Sequence, residues 1–199
     1  MAAHLLNDFL GGYQRGIEVA VAGSVPDELL GVREAFRRYF HDGLGRPVPV
    51  AVVPQDEERR LRGIAGSDQD AIDSARNAAA ALAGRLGTTY QFYVAAEAAI
   101  QPTLSADVQR YFLRCWAVVQ GPPGSACGAG GTIELPARLV SGVNPAELAS
   151  ALPGTRRSGG FMSGLTGGLE TRRSAVALAT LGALSTLFFG ILEGQHRPR

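Results

Sequence analysis

The residues of this sequence best placed to do chemistry sit where a strand turns into a helix. Ile17 to Ala22 reads IEVAVA, the pattern of a buried strand. Gly23-Ser24-Val25-Pro26 follows as a turn, and Pro26 suits a first helical position because its φ is fixed and it has no N–H to lose. A helix opened by such a turn presents free backbone N–H groups and the positive end of its dipole, which is the geometry phosphate sites use. Those sites usually add a lysine or arginine in the first turn. Here that turn carries Asp27 and Glu28. Acids there stabilise the helix but repel a phosphate, so this segment alone reads as an ordinary capped helix. Ser24 has no histidine motif beside it, and a nucleophile is not expected. His4, His41 and His196 lie far apart without ligand spacing and read as surface residues.

The elements that must position this turn alternate along the chain. After the first strand, a helix is expected from Pro26 to about Phe40, with Leu29, Val32, Ala35, Phe36 and Tyr39 at helical spacing. A loop over Gly43 to Pro49 leads to a second strand at Val48 to Val53, then to a polar, exposed connection at Gln55 to Gly66. Ser67 caps a helix over Asp68 to Leu86, whose alanine-rich centre implies close packing on a sheet. Strands follow at Phe92 to Ala96, bounded by Glu97, at Tyr111 to Val119, and at Gly131 to Leu135. Pro136 to Leu152 carries one or two helical turns. Arg156 to Gly168 is a glycine-rich loop, in which Arg156 and Arg157 read as an exposed pair or as a polyphosphate contact. Thr171 caps the last helix. This alternation implies a layered α/β sheet.

The chain has 199 residues, enough for one domain with a substantial core. Residues 1–16 read as an N-terminal extension, 17–193 as the domain and 194–199 as a tail. With 19 basic and 18 acidic residues the net charge is +1, and no basic run is interleaved with aromatics, so no nucleic-acid partner is expected. The 26 glycines have no fixed period, which argues against a repeat array. Cys115 and Cys127 are too few for a disulfide framework, and Cys115 lies in an apolar run as a buried thiol would, so an intracellular, reducing compartment is expected. Met1 to Gly12 lacks the charge and apolar run of a signal peptide. Ala175 to Leu192 is free of charge over 18 residues, the lower edge of a membrane span. Thr180, Gly182, Ser185, Thr186 and Gly190 dilute it, and a core helix is the expectation.

The order of these segments resembles the inosine/xanthosine triphosphatase family. That family opens with a strand and a loop of the form (S/T)-x-N-P-x-K, then a helix ending A-x-x-A-F. The matching stretch here is Val19 to Glu28, then Gly31-Val32-Arg33-Glu34-Ala35-Phe36. The proline and the terminal Ala-Phe are kept, while Val25 replaces the asparagine and Glu28 the lysine. A second motif, E-T-x-x-G-A-x-N-R-A, is similar to Asp68 to Asn77, where Arg76 matches and Asp68 stands for the glutamate. A third, D-x-x-V-G-I-E-G-G-I, is similar to Gln91 to Ile100. Glu97 is kept, Gln91 replaces the aspartate, and Ala98 and Ala99 replace the glycines. Cys115 to Val119 fits F-x-W-x-V, and Ile133 to Pro136 fits a strand ending L-P. Gly160 to Arg172 is similar to G-A-I-G-x-L-T-x-G-x-x-T-R, aligning Leu165-Thr166 and Thr171-Arg172, and Ser174 to Phe189 fits the closing helix. A related domain of the proline-rich coiled-coil family shares the V-R-E-A-F run seen at Val32 to Phe36.

The resemblance covers about residues 17–190 and implies a mixed sheet flanked by helices. It implies nucleotide or phosphate contacts at Ser24, Arg76, Thr166, Thr171 and Arg172. Glu97 and Asp68 would be the catalytic and Mg²⁺-binding carboxylates of an active enzyme, against an ordinary reading as a solvated strand end and a helix cap. Hydrolysis needs cations around the phosphates and carboxylates holding Mg²⁺. Reversing charge at Glu28 costs on the order of several kcal/mol at an intermediate dielectric. The resemblance therefore implies a degenerate, non-catalytic homologue without a cofactor. It would act as a structural or protein-interaction subunit, a homodimer or a partner in a complex, with at most a vestigial nucleotide. The alternative is an active Mg²⁺-dependent phosphatase of ITP- or XTP-like substrates.

Overall fold

A computed structural model describes residues 11–13, 15–45, 47–56, 64–140 and 160–189. Five strands form one sheet: β1 (Ile17–Ala22), β2 (Val50–Gln55), β3 (Phe92–Ser105), β4 (Val108–Gly121) and β5 (Gly124–Leu135). Their spatial order is β2-β1-β3-β4-β5. β1 runs parallel to both β2 and β3, whereas β3-β4-β5 is an antiparallel meander. The helices are α1 (Pro26–Arg37), α2 (Asp68–Leu86), a short α3 (Ala137–Val140), α4 (Gly160–Thr166) and α5 (Arg172–Leu187). This is the expected α/β architecture, a mixed sheet flanked by helices.

Alternation along the strands sends two different cores to the two faces. Ile17, Val19, Val21, Phe92, Val94, Leu113, Ala117 and Val119 point to the α1 and α5 side. There they meet an aromatic cluster in which Phe36, Phe40, Phe92 and Phe188 lie within about one ring's reach of one another. Tyr13, in the segment read as an extension, belongs to that cluster and stacks on Phe92 at 5.6 Å between ring centroids. On the opposite face Ala20, Ala22, Tyr93, Ala95 and Val118 receive Ala75, Ala78, Ala79 and Leu82 of α2. The alanine run therefore does lie close on the sheet. Ser67 caps α2 through its own oxygen, which accepts from the Asp70 N–H.

Several boundaries differ from the sequence reading. The third strand does not stop at Glu97 but continues to Ser105, and the fourth begins at Val108. Ala106 and Asp107 join them with φ of 49° and 61°, the left-handed pair that a two-residue hairpin turn requires. Neither residue is glycine, so the turn carries no sequence signal. The fifth strand starts at Gly124, seven residues before the expected point, because the Pro122-Pro123 turn folds it straight back. α1 stops at Arg37 and continues as a π-helical turn, Arg38–Gly43. Gly160 to Thr166, read as loop, is helical. Ala65, read as exposed, is buried and bridges Ala99. The expectations for 141–152 and for Arg156-Arg157 lie outside the described residues.

α5 rests on β5 at backbone contact. A Cβ at Gly128 would run into the Ala179 carbonyl and the Ala183 N–H, and one at Gly130 would lie 2.5 Å from the Ala175 carbonyl. Gly130 and Gly131 together oppose Cys115 in a bulge. α5 bears Ala175, Ala179 and Ala183 on its buried face. No helix among the described residues is long and apolar enough to cross a membrane. Cys115 is buried as expected, and both cysteines are free.

Two measurements follow from this packing. Gly128→Ala forces α5 off the sheet and should cost about 1–3 kcal/mol, read as a lower denaturant midpoint. Gly84→Ala, in a helix position with nothing within 4 Å of the new methyl, should instead gain about 0.5–1 kcal/mol. A second pair concerns the aromatic core. Burial raises the phenols of Tyr13 and Tyr39 from 10.0 to about 12. The folded pKa is the higher one, so their contribution is complete below pH 10 and is lost as pH rises toward 12. The Tyr39 hydroxyl is buried without a hydrogen-bond partner among the described residues. Tyr39→Phe should therefore leave neutral-pH stability unchanged or raise it, and move the alkaline unfolding midpoint upward.

Candidate functional site

The first helix does not begin as an open phosphate cradle. Its N-cap is Val25, which offers no side-chain cap, and Pro26 has no N–H. The Glu28 N–H is already donated to the Val25 carbonyl at 3.0 Å. Ser24 is exposed. Gly23, with φ of 106°, lets the chain leave the sheet while its N–H bonds to the Gln55 carbonyl at 2.7 Å.

Glu28 carries the site's most informative contact. It is only 5% exposed, and its Oε1 lies 3.6 Å from Nη1 of Arg172. Arg172 is the first residue of α5, directly after the cap at Thr171. A cation at a helix N-terminus is opposed by the dipole, and a nearby carboxylate offsets that. The N-terminal halves of α1 and α5 also touch. A Cβ at Gly31 would lie 2.6 Å from the Arg173 carbonyl and 3.1 Å from Val176 Cβ. Six residues beyond Glu28, nearly two turns, Glu34 pairs with Arg173 at 2.9 Å. Two positive helix ends and a guanidinium thus meet at a carboxylate from the chain itself. The two residues were each singled out in the sequence, but their pairing follows only from the helix contact.

Thr166 and Thr171 have structural work at the same place. The Thr166 hydroxyl donates toward the Met162 and Glu170 carbonyls at 2.9 and 3.1 Å and accepts from the Glu170 N–H at 2.9 Å. That fastens the α4–α5 turn. Thr171 and Ser174 cap α5 reciprocally, the Thr171 oxygen accepting from the Ser174 N–H at 3.1 Å and the Ser174 oxygen from the Thr171 N–H at 2.8 Å. Gly160, with φ of 69°, lies beside Arg172, and a Cβ there would be 3.3 Å from its Nε.

The two carboxylates expected to act together lie on the other face of the sheet, against α2. Glu97 is not a solvated strand end. It stands mid-strand in β3, 3% exposed, and its Oε1 accepts from the Ser74 hydroxyl of α2 at 3.2 Å. Asp68 is not the cap of α2 either, since Ser67 is. Its Oδ2 accepts from Arg114 Nη1 at 2.7 Å, and its Oδ1 from the Trp116 indole at 2.7 Å. Its own N–H donates to Gln101 Oε1 at 2.9 Å. Arg114 lies over the Trp116 ring at 5.7 Å and donates to Thr132 as well. Arg114 and Trp116 are two apart on β4 and so share a face, a spacing that was legible but unread. Arg76 points elsewhere, pairing with Asp73 at 3.1 Å with both side chains about half exposed.

For a divalent cation the donor set is a poor fit. Both oxygens of Asp68 already serve cationic or N–H donors, and such a metal would have to displace Arg114. Among the described residues no three acids, histidines or cysteines gather at ligating distance. His41 pairs at the surface with Asp42, while His4 and His196 lie outside the described residues. The structure therefore splits the expected site. Asp68, Glu97 and Arg76 belong to the α2 side, and Thr166, Thr171 and Arg172 to the α5 side.

The chain is an α/β protein in which a buried carboxylate, Glu28, lies where the N-termini of α1 and α5 meet. No family model and no curated protein matches the chain. Among solved structures it is similar to protein VC0702 from Vibrio cholerae, with a TM-score of 0.68, 19% identity, and coverage of 92% of this chain and 99% of that one. That likeness supports the fold.

The Asp68 cluster yields a direct test. Asp68→Ala leaves the Trp116 indole and the Arg114 guanidinium without their acceptor and should cost about 1–3 kcal/mol. Trp116 is the chain's 1 tryptophan, so its fluorescence should report the lost bond in the folded state as a changed emission maximum.

Proposed function

We propose that this chain is a non-catalytic relative of the inosine/xanthosine triphosphatases that serves as a structural or protein-interaction subunit. The observation that carries the reading is the Glu28–Arg172 pair. In the resemblance, position 28 is a phosphate-binding lysine and Arg172 a phosphate contact. Here that position is a buried carboxylate paired with the arginine, so the two groups that would meet a phosphate meet each other. An incoming triphosphate would have to displace a buried acid and then lie beside it. The engagement of Asp68 by Arg114 and Trp116 supports the same reading, because it diverts the second carboxylate from Mg²⁺ chemistry.

The full chain, incubated with Mg²⁺ and ITP or XTP, should release no phosphate above the protein-free control. Hydrolysis that disappears in Glu97→Gln would overturn the proposal. Anion rescue tests the carrying observation separately. Glu28→Gln removes the internal anion and should lower the melting temperature. Added inorganic phosphate should then raise the melting temperature of the variant more than that of the parent.

A further inference from the structure

On the outer side of α1, away from the Glu28 turn, an open cavity of about 300 Å³ is ringed by arginines. Arg33, Arg37 and Arg38 line it from α1 and the π-helical turn, and Arg173 from α5. We propose that this groove binds a compact multivalent oxyanion, such as a small molecule bearing a polyphosphate or several phosphate groups.

Four arginines face two carboxylates there, a formal charge of +2 in a chain whose total is +1, so the rest of the molecule is slightly acidic. Glu34 is held by Arg173 at 2.9 Å, and Asp42 lies 3.6 Å from His41, whose imidazole pairs with it only when protonated. Among the described residues the side chains of Arg33, Arg37 and Arg38 have no hydrogen-bond or ion-pair partner, and all three are exposed. Arg33 and Arg37 are one turn apart on the same helix face, where like charges destabilise the helix. The C-terminal dipole favours a cation at Arg37, which closes α1, but it gives no reason for Arg33 in the helix middle.

The backbone contributes as well. The π-helical turn Arg38–Gly43 keeps Tyr39 and Phe40 buried while Arg38, His41 and Asp42 stay outside. Such turns recur at functional sites. Guanidinium groups suit the ligand because their forked N–H donors match phosphate oxygens two at a time. A cavity of this size, at the small end of ligand pockets, favours a compact anion over an extended acidic peptide, which would need a longer track. The groove is lined by none of the residues of the Glu28–Arg172 contact, so it stands or falls independently of the catalytic question.

The probes are pyrophosphate and tripolyphosphate, titrated calorimetrically into the full chain at low ionic strength. Binding should be detectable, should weaken steeply with added salt, and should fall at least about tenfold in Arg33→Gln/Arg37→Gln. Arg33→Gln and Arg37→Gln singly should each give a smaller loss, which decides the matter if the double variant fails to fold. Arg76→Gln, on the exposed face of α2, should bind like the parent, and so should Glu28→Gln. Unchanged binding in both single variants, or no binding of either probe at millimolar concentration, overturns the proposal. Tighter binding of a poly-glutamate peptide than of tripolyphosphate also overturns it, and assigns the groove to an acidic protein partner.

Discussion

Helix α5 meets both β5 and α1 at backbone contact, and much of the remaining structure depends on that approach. Gly128 and Gly130 clear the sheet side, Gly31 clears the α1 side, and the alanines of α5 fill what is left. Small residues give up apolar area per residue but gain close dispersion contact over a long helix. Once α5 is pressed against α1 in this way, the two N-terminal halves must meet. Arg172 and Arg173 then come opposite Glu28 and Glu34. The ion pairs are a consequence of glycine positions set far away in the chain.

This order of causes explains which parts of the sequence were readable. The strand at Ile17–Ala22 and the helices at 26 and 68 follow from local periodicity and caps, and they appear where expected. The meander was understated because its signals are not local. Ala106-Asp107 adopts a turn that favours glycine or asparagine, and β5 is rich in glycine, which normally argues against a strand. Those glycines are there for the helix above them. Tertiary contact overrode propensity at both places.

The candidate site was legible residue by residue but not as an arrangement. Glu97 and Asp68 were expected as catalytic carboxylates or else as a solvated strand end and a helix cap, and their surroundings differ from the ordinary reading. A strand end became a buried mid-strand position, and a helix cap became the acceptor of Arg114 and Trp116. Sequence spacing gives the face of a strand or helix, but it does not say which helix will cover that face. Here α2 covers the carboxylate face and α5 the opposite one, so residues that align as one motif set are divided between two layers.

The division bears on what a charge reversal means. At an exposed helix end, Glu28 in place of lysine would be a weak change, screened by water and salt. Buried at 5% exposure between two helix N-termini, the same carboxylate sits where its charge is favoured by both dipoles and by Arg172. The contact ties the start of α1 to the start of α5. On the outer face of α1, by contrast, the side chains of Arg33, Arg37 and Arg38 meet no acid among the described residues.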